Sequence, residues 1–309
     1  MGASAPARRK PHLTILGRMS ERRRFGLLLL APEVLLLGAL IAYPLIYLVT
    51  LSVQNVSLVN VLQSQHAFVG LDNFAAIISD SNFLSTIRTT SVFAAACLVL
   101  QLSVGLVLGL IFSIEFRAKK PILLLLLLPM LMTPVVIGLF WKLILNGEWG
   151  VANYLLSFVG VTSQTWLVDP QLALPAVIMV YSWGGVSFVA LVVLGAASVQ
   201  PVDLYEAARV DGATTMQTLR YITLPLLRPI LLVISMILTI DAIKTFDIMY
   251  VLTGGGPGGL TRVFALEIYD RAFNRTQFSQ AAAESLLLVA VTLVLVSGLV
   301  VALRRSTAD

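Results

Sequence analysis

The sequence predicts an all-α membrane protein with six transmembrane helices. Three observations predict it: a charge-poor composition, six apolar runs of spanning length, and a one-sided distribution of basic residues. Of 309 residues, 58% are hydrophobic and 12% charged, whereas soluble domains carry roughly 25% charge. The mean hydropathy of +0.92 argues equally against a water-soluble globule and a disordered chain. His12 and His66 lie outside the apolar runs, and Cys97, the one cysteine, lies inside one. That excludes a buried haem or histidine-held metal, a disulfide scaffold and a zinc cluster, so neither metal nor cofactor is expected.

A span needs about 20 apolar residues to cross roughly 30 Å of hydrocarbon. Six runs qualify, at approximately 26–52, 89–114, 121–145, 173–195, 229–251 and 281–303. The first is too long for a signal-peptide core and lacks a small-x-small cleavage site, so it is expected to stay in the mature chain. Pro44, Pro129, Pro134 and Pro175 fall within spans, and the fourth carries Tyr181-Ser182-Trp183-Gly184-Gly185 near its middle. Such backbone is tolerated where neighbouring helices or a wet cavity satisfy it. It points either to a transport path or to close packing through small residues.

Charge placement sets the orientation. Arg8, Arg9, Lys10, Arg18, Arg22, Arg23 and Arg24 precede the first run. The net charge of +5 is thus concentrated where a cytoplasmic anchor beside anionic lipid needs it, not in a nucleic-acid patch. With the N-terminus inside, segments 1–25, 115–120, 196–228 and 304–309 hold 15 of the 21 basic residues, so both termini are expected to be cytoplasmic. The chain divides into a basic segment 1–25, a six-helix domain 26–303 and a tail 304–309.

The loop between the fourth and fifth spans, 200–229, is the most informative. Pro201 suits a helix start, and Asp203 and Glu206 sit favourably in the first turns. Ala207 and Ala208 give a low-profile face for close packing by another protein, and Gly212 permits a bend that a Cβ would resist. A second short helix is expected from Thr214 to Leu224, with Pro225 and Pro229 turning the chain into the fifth span. Two helices joined at a glycine make a docking surface.

This segment resembles the cytoplasmic EAA loop of permease subunits from binding-protein-dependent ABC importers: Glu-Ala-Ala, three residues, Gly, nine residues, Ile-x-Leu-Pro. Glu206, Ala207, Ala208, Gly212, Ile222, Leu224 and Pro225 fill all seven fixed positions, a match expected by chance at roughly one start in 10⁸. Phe68-Val-Gly-Leu-Asp-Asn-Phe74 resembles the outer-loop signature of the carbohydrate branch, which includes maltose and glycerol-phosphate importers. Lys244-Thr-Phe-Asp-Ile-Met-Tyr250 with Thr253-Gly-Gly-Gly-Pro257 resembles that branch's fifth span and outer turn. The resemblance implies a type I ABC importer permease fold and a non-catalytic subunit. It further implies a second permease subunit, two copies of an ATP-binding subunit that hydrolyses ATP, and an extracytoplasmic solute-binding protein delivering a carbohydrate. In this reading Glu206, Ala207, Ala208, Asp211 and Gly212 form the ATPase-coupling contact, and the protein resides in the cell membrane.

Asp241, Lys244 and Asp247 recur every three residues in the fifth span, on one side of a continuous helix. An unpaired charge at that depth costs about 2.5–3.5 kcal/mol, so they are expected to face the bundle, a partner or water. They either line the solute cavity with Tyr181, Trp183 and Trp141, or pair with one another to fix helices or close a gate. Since Lys244-x-Phe246-Asp247 resembles a family-wide pattern, structure or gating is favoured for it. Asp241 is then the better substrate-facing candidate, ahead of Glu284 and Gln101. Glu33 and Lys142 are expected to reach headgroups. Gly255, Gly256 and Pro257 form an outer turn, either a contact for the binding protein or a plain flexible reversal. No Gly-Lys-Ser/Thr follows them, so they are not a phosphate cradle.

Other functions fit less well. Intramembrane Ser–His proteolysis fails because no span contains a histidine. Asp211-Gly212 lacks the further acidic residues of a head-group transferase. A self-sufficient secondary carrier or channel explains broken helices and buried charge but not the EAA loop.

Overall fold

The computed structural model describes residues 14–56 and 67–306. Arg8, Arg9, Lys10, His12 and His66 lie outside the described residues, as do the side chains of Arg18 and Arg22–Arg24. Helix α1 runs Thr14–Ser52 and α2 Asp72–Ile78, with a two-residue antiparallel pair between them that sets Gln54 against Phe68. Then follow α3 (Ser81–Ser113), α4 (Lys119–Leu131), α5 (Pro134–Ile144), α6 (Val151–Ser157), α7 (Ala173–Ser198), α8 (Val202–Val210) and α9 (Thr215–Thr218). The chain finishes with α10 (Leu224–Ile243), α11 (Asp247–Leu252), α12 (Phe264–Tyr269) and α13 (Phe278–Ser306). Among the described residues, five helical stretches are long and apolar enough to cross a membrane, and the α4–α5 pair makes a sixth if counted as one span.

The third and fifth spans depart from expectation, and the fourth takes one of two alternatives. The third, expected to run continuously over 121–145, is bent by 108° between α4 and α5. Pro134 disfavours helical backbone at the residue before it, and Met132 and Thr133 are both extended (ψ 144° and 148°). At 1.5 Å per residue α4 is only about 20 Å long, too short to cross alone. The fourth, whose glycine-bearing middle points either to a transport path or to close packing through small residues, is an unbroken 26-residue helix. Gly185 serves the packing alternative: a Cβ there would lie 2.3 Å from the Gln101 side chain. Gly105 and Gly109 of α3 do the same against Val189 and Val193 of α7, where a Cβ would come within 2.5 and 2.6 Å. Small residues at this α3–α7 contact let the two backbones approach, as membrane helices without a hydrophobic driving force require. The fifth span breaks at Lys244–Phe246 between α10 and α11.

The centre of the bundle is α3 and α7, with Phe93, Cys97, Val177 and Val180 buried against Met249 and Leu252 of α11. Phe93 meets Tyr181 edge-on at 5.1 Å. The Phe68–Phe74 signature is tied down by Asn73, whose Nδ2 donates to the carbonyls of Ser52 and Gln54, each at 2.8 Å. By contrast, the apolar stretch of α1 from Leu29 to Ser52 is largely exposed and leans mainly on α13.

Candidate functional site

The candidate coupling segment begins where Pro201 caps α8, with Asp203 in the first turn. Glu206, Ala207, Asp211 and Gly212 are exposed, while Ala208 is buried against the chain itself. Tyr205 anchors the segment from beneath, bonding to Gln200 and meeting the Thr223 hydroxyl at 3.3 Å. At Gly212 the backbone takes φ +75°, a left-handed conformation that costs other residues roughly 1–2 kcal/mol. A Cβ there would meet no atom within 4 Å, so the glycine answers to backbone conformation, not to space. Thr214 then opens α9 with a reciprocal capping box to Gln217.

Pro225 does not turn the chain, contrary to expectation. The five-residue π stretch Leu219–Thr223 follows α9 directly and leads into α10, with the Leu224 N–H donating to the Leu219 carbonyl. Pro225 falls in the first turn of α10; the wider π register takes up the mismatch that a proline imposes on the preceding turn. Residues Thr215–Ile243 therefore form one 29-residue helical rod, about 43 Å long. Its far end carries Asp241.

That end opens on a cavity of about 540 Å³ whose lining includes Gln101, Tyr181, Asp241, Lys244, Phe246 and Asp247. The helix break changes the expected geometry of the three charges. Lys244 ends α10 and pairs with Asp241 at 2.8 Å, the two side chains being 65% and 47% exposed. Asp247 stands beyond the break in the first turn of α11. It forms no ion pair among the described residues. Gln101 is buried on the cavity wall with its Nε2 unpartnered. Tyr181 lines the cavity, whereas Trp141 and Trp183 do not; they meet edge-on at 5.6 Å behind it.

The glycine-rich turn is held, not loose. The Thr253 and Thr261 hydroxyls lie 2.7 Å apart, and buried Thr261 donates to the Gly256 carbonyl at 2.6 Å. Gly254, Gly255, Gly258 and Gly259 all have positive φ, and Gly256–Pro257 is cis. Gly255 is buried against Leu266 and Arg262, and Gly256 and Pro257 are half-buried. Lys142 donates to the Val251 carbonyl at 2.8 Å at the end of α11 instead of reaching outward.

Sequence reasoning missed the largest polar feature. Arg271, 4% exposed, pairs with Asp80 at 3.0 Å, Glu267 at 3.2 Å and Glu284 at 2.9 Å. Arg262 and Arg275 bind Glu267 and Asp270 around it. Glu284, a minor substrate-facing candidate from sequence, is thus half of a buried ion pair. Burial pushes the Asp80 carboxyl up, but the Asn82 N–H and Arg271 outweigh it and hold it below its ordinary value of 3.8.

Comparison with known proteins adds a family. The family described as binding-protein-dependent transport system inner membrane component matches residues 101–308. A probable ABC transporter permease of Sinorhizobium fredii is 32% identical over 87% of this chain and 86% of its own length. The sulfoquinovosyl glycerol transport system permease of Agrobacterium fabrum is 34% identical over 88% and 87%. The trehalose/maltose transport system permease of Thermococcus litoralis is 36% identical over 66% and 69%. Among solved structures, a chain of a bacterial ABC transporter that imports the acidic polysaccharide alginate shares the fold, with a TM-score of 0.82 at 23% identity over 94% of this chain and 98% of that one.

Proposed function

Because the chain belongs to the family of binding-protein-dependent transport system inner membrane components, we propose that it is one permease subunit of an ABC importer for a carbohydrate. The observation that carries this reading is the single helical rod Thr215–Ile243, which joins an exposed docking segment to a cavity lined by charge. A self-sufficient carrier has no use for such a segment. In this reading the chain hydrolyses no ATP. Glu206, Ala207, Asp211 and Gly212 receive one of two ATP-binding subunits, with buried Ala208 seating the helix beneath them, and closure of that subunit moves the rod. A second permease completes the cavity, since the Asp241–Lys244 pair is half open to the surroundings of this chain. An extracytoplasmic binding protein delivers solute at the end bearing the Gly255-Gly256-Pro257 turn. The protein sits in the cytoplasmic membrane with both termini inside. Relatives with sulfoquinovosyl glycerol and with trehalose or maltose in their names support the solute class.

Within the cavity, Asp241 and Asp247 accept from sugar hydroxyls, the free Gln101 Nε2 donates to one, and Tyr181 offers a ring face. Reconstitution tests the class: the four-subunit assembly with its binding protein moves carbohydrate only with ATP, and transport by this chain alone down an ion gradient overturns the reading. Asp241→Asn tests the cavity. A hydrogen bond to a charged group contributes about 1.5–3 kcal/mol, so the half-saturating solute concentration should rise about tenfold or more. In a water-filled cavity an ion pair stabilises by at most about 1 kcal/mol, so in this reading assembly should be little affected. A variant that assembles poorly with unchanged solute affinity would return Asp241 to a purely structural role.

A further inference from the structure

Four aromatic side chains form one unbroken run leading away from the cavity. Phe246 caps α11 at the helix break and lines the cavity. Its ring stacks on Tyr250 at 5.3 Å and approaches Tyr269 at 4.9 Å. Tyr269, the last residue of α12, lies 5.4 Å from Tyr250 and 5.0 Å from Phe273 in the following π turn. Spacing of four residues within each of two helical segments puts Phe246 over Tyr250 and Tyr269 over Phe273. The run starts inside and ends outside: Tyr250 is 51% and Phe273 68% exposed.

Neither usual role of clustered rings accounts for this. Tyr250, Tyr269 and Phe273 belong to none of the three apolar clusters among the described residues, so they are not core. A lipid-facing aromatic belt is also a poor fit. The inner ring, Phe246, shares the cavity wall with Asp241, Lys244 and Asp247, a group of charges that hydrocarbon would expel.

We propose that Phe246, Tyr250, Tyr269 and Phe273 form a carbohydrate-binding subsite outside the membrane cavity, on which sugar rings stack before entering it. The proposal rests on the carbohydrate reading above. The face of an aromatic ring is negative and its edge positive, and the C–H-bearing face of a pyranose presents the matching positive surface. Solute sites combine such apolar walls with a few fixed polar groups; here the polar groups stand at the inner end of the run. Consecutive rings offer successive stacking positions, so a sugar leaving one gains the next. A helix of the second permease is the competing occupant. It would cover the rings as apolar bulk, with no requirement for aromaticity.

That difference makes the test. Saturation-transfer NMR on the assembled transporter in nanodiscs would use methyl α-glucopyranoside and trehalose as ring probes, and sn-glycerol 3-phosphate as a ringless one. Saturation should reach the ring C–H protons of both pyranosides. Tyr250→Leu and Phe273→Leu should each weaken pyranoside binding about three- to tenfold, and Phe273→Tyr should preserve it. Unchanged transfer in both leucine variants overturns the subsite and leaves the carbohydrate reading standing. Loss of the second permease from either purified leucine variant also overturns it, making the run a subunit contact. Absence of transfer to any pyranoside in the unmodified transporter overturns both.

Discussion

A transporter carrying Gly212→Trp should insert and assemble normally yet lose more than about tenfold of its ATP-driven uptake. Two costs separate at this position. The backbone at Gly212 has φ +75°, so any side chain pays conformational strain of roughly 1–2 kcal/mol. Gly212→Ala measures that term alone, because a Cβ meets nothing in this chain within 4 Å. Whatever Gly212→Trp loses beyond Gly212→Ala is therefore a clash with something outside the chain. Glu206→Lys probes the same surface by charge: Glu206 is exposed and forms no ion pair among the described residues. Its reversal should likewise uncouple ATP hydrolysis from transport with little effect on folding. Both variants are read by binding-protein-stimulated ATPase activity alongside solute uptake in proteoliposomes. Normal stimulated activity and uptake in both would remove the coupling role from residues 206–212.

The mechanical consequence of the rod explains why such a distant lesion should matter. Between Thr215 and Ile243 there is no unpaired turn, only a change to π register at Leu219–Thr223. Displacement of α9 is thus delivered to Asp241 and Lys244 without an intervening hinge. The first non-helical backbone is Lys244–Phe246, at the cavity itself. The left-handed turn at Gly212 and that break stand one at each end of the continuous helix, an arrangement that in the proposed importer suits a lever driven from one end and opening at the other.

Apolar periodicity and length carried most of the architecture into the sequence. The fourth span expected over 173–195 is α7 at Ala173–Ser198, and the two short helices of the following loop were readable from Pro201, Gly212 and the helix start expected near Thr214. Two kinds of information were not local. Gly185 looks the same whether it loosens a helix or admits Gln101, and the choice depends on a partner helix far along the chain. The break after Ile243 contains no proline or glycine at all. The charges Asp241, Lys244 and Asp247 mark the place without revealing that the helix stops between them. The Arg271 cluster was invisible for the same reason, since Asp80 lies 191 residues from it.

That cluster makes the second large prediction. Arg271→Met should destabilise the folded subunit by about 3–5 kcal/mol, the usual cost of leaving buried charge unpaired. Glu267 and Glu284 are fully buried. Glu267 would retain Arg262 and Arg275, but Glu284 has Arg271 as its one ion-pair partner among the described residues. A loss of that size lowers the thermal midpoint by about 10 °C in a chain this long. Arg271→Lys should rescue poorly, because the guanidinium uses Nε on Glu284, Nη1 on Gln280 and Nη2 on both Asp80 and Glu267. A single ammonium does not reproduce that fork. The double variant Arg271→Met with Glu284→Gln should recover part of the loss by removing the stranded charge, which no account based on lost packing predicts. Acid provides an independent readout. With its folded pKa held below 3.8, Asp80 contributes its full share of stability above that value and loses it as pH falls through the depressed one. In Arg271→Met that acid-dependent share should shrink. Equal thermal midpoints for the wild type and Arg271→Met, at neutral pH and at pH about 3, would show that the cluster does not hold the bundle together.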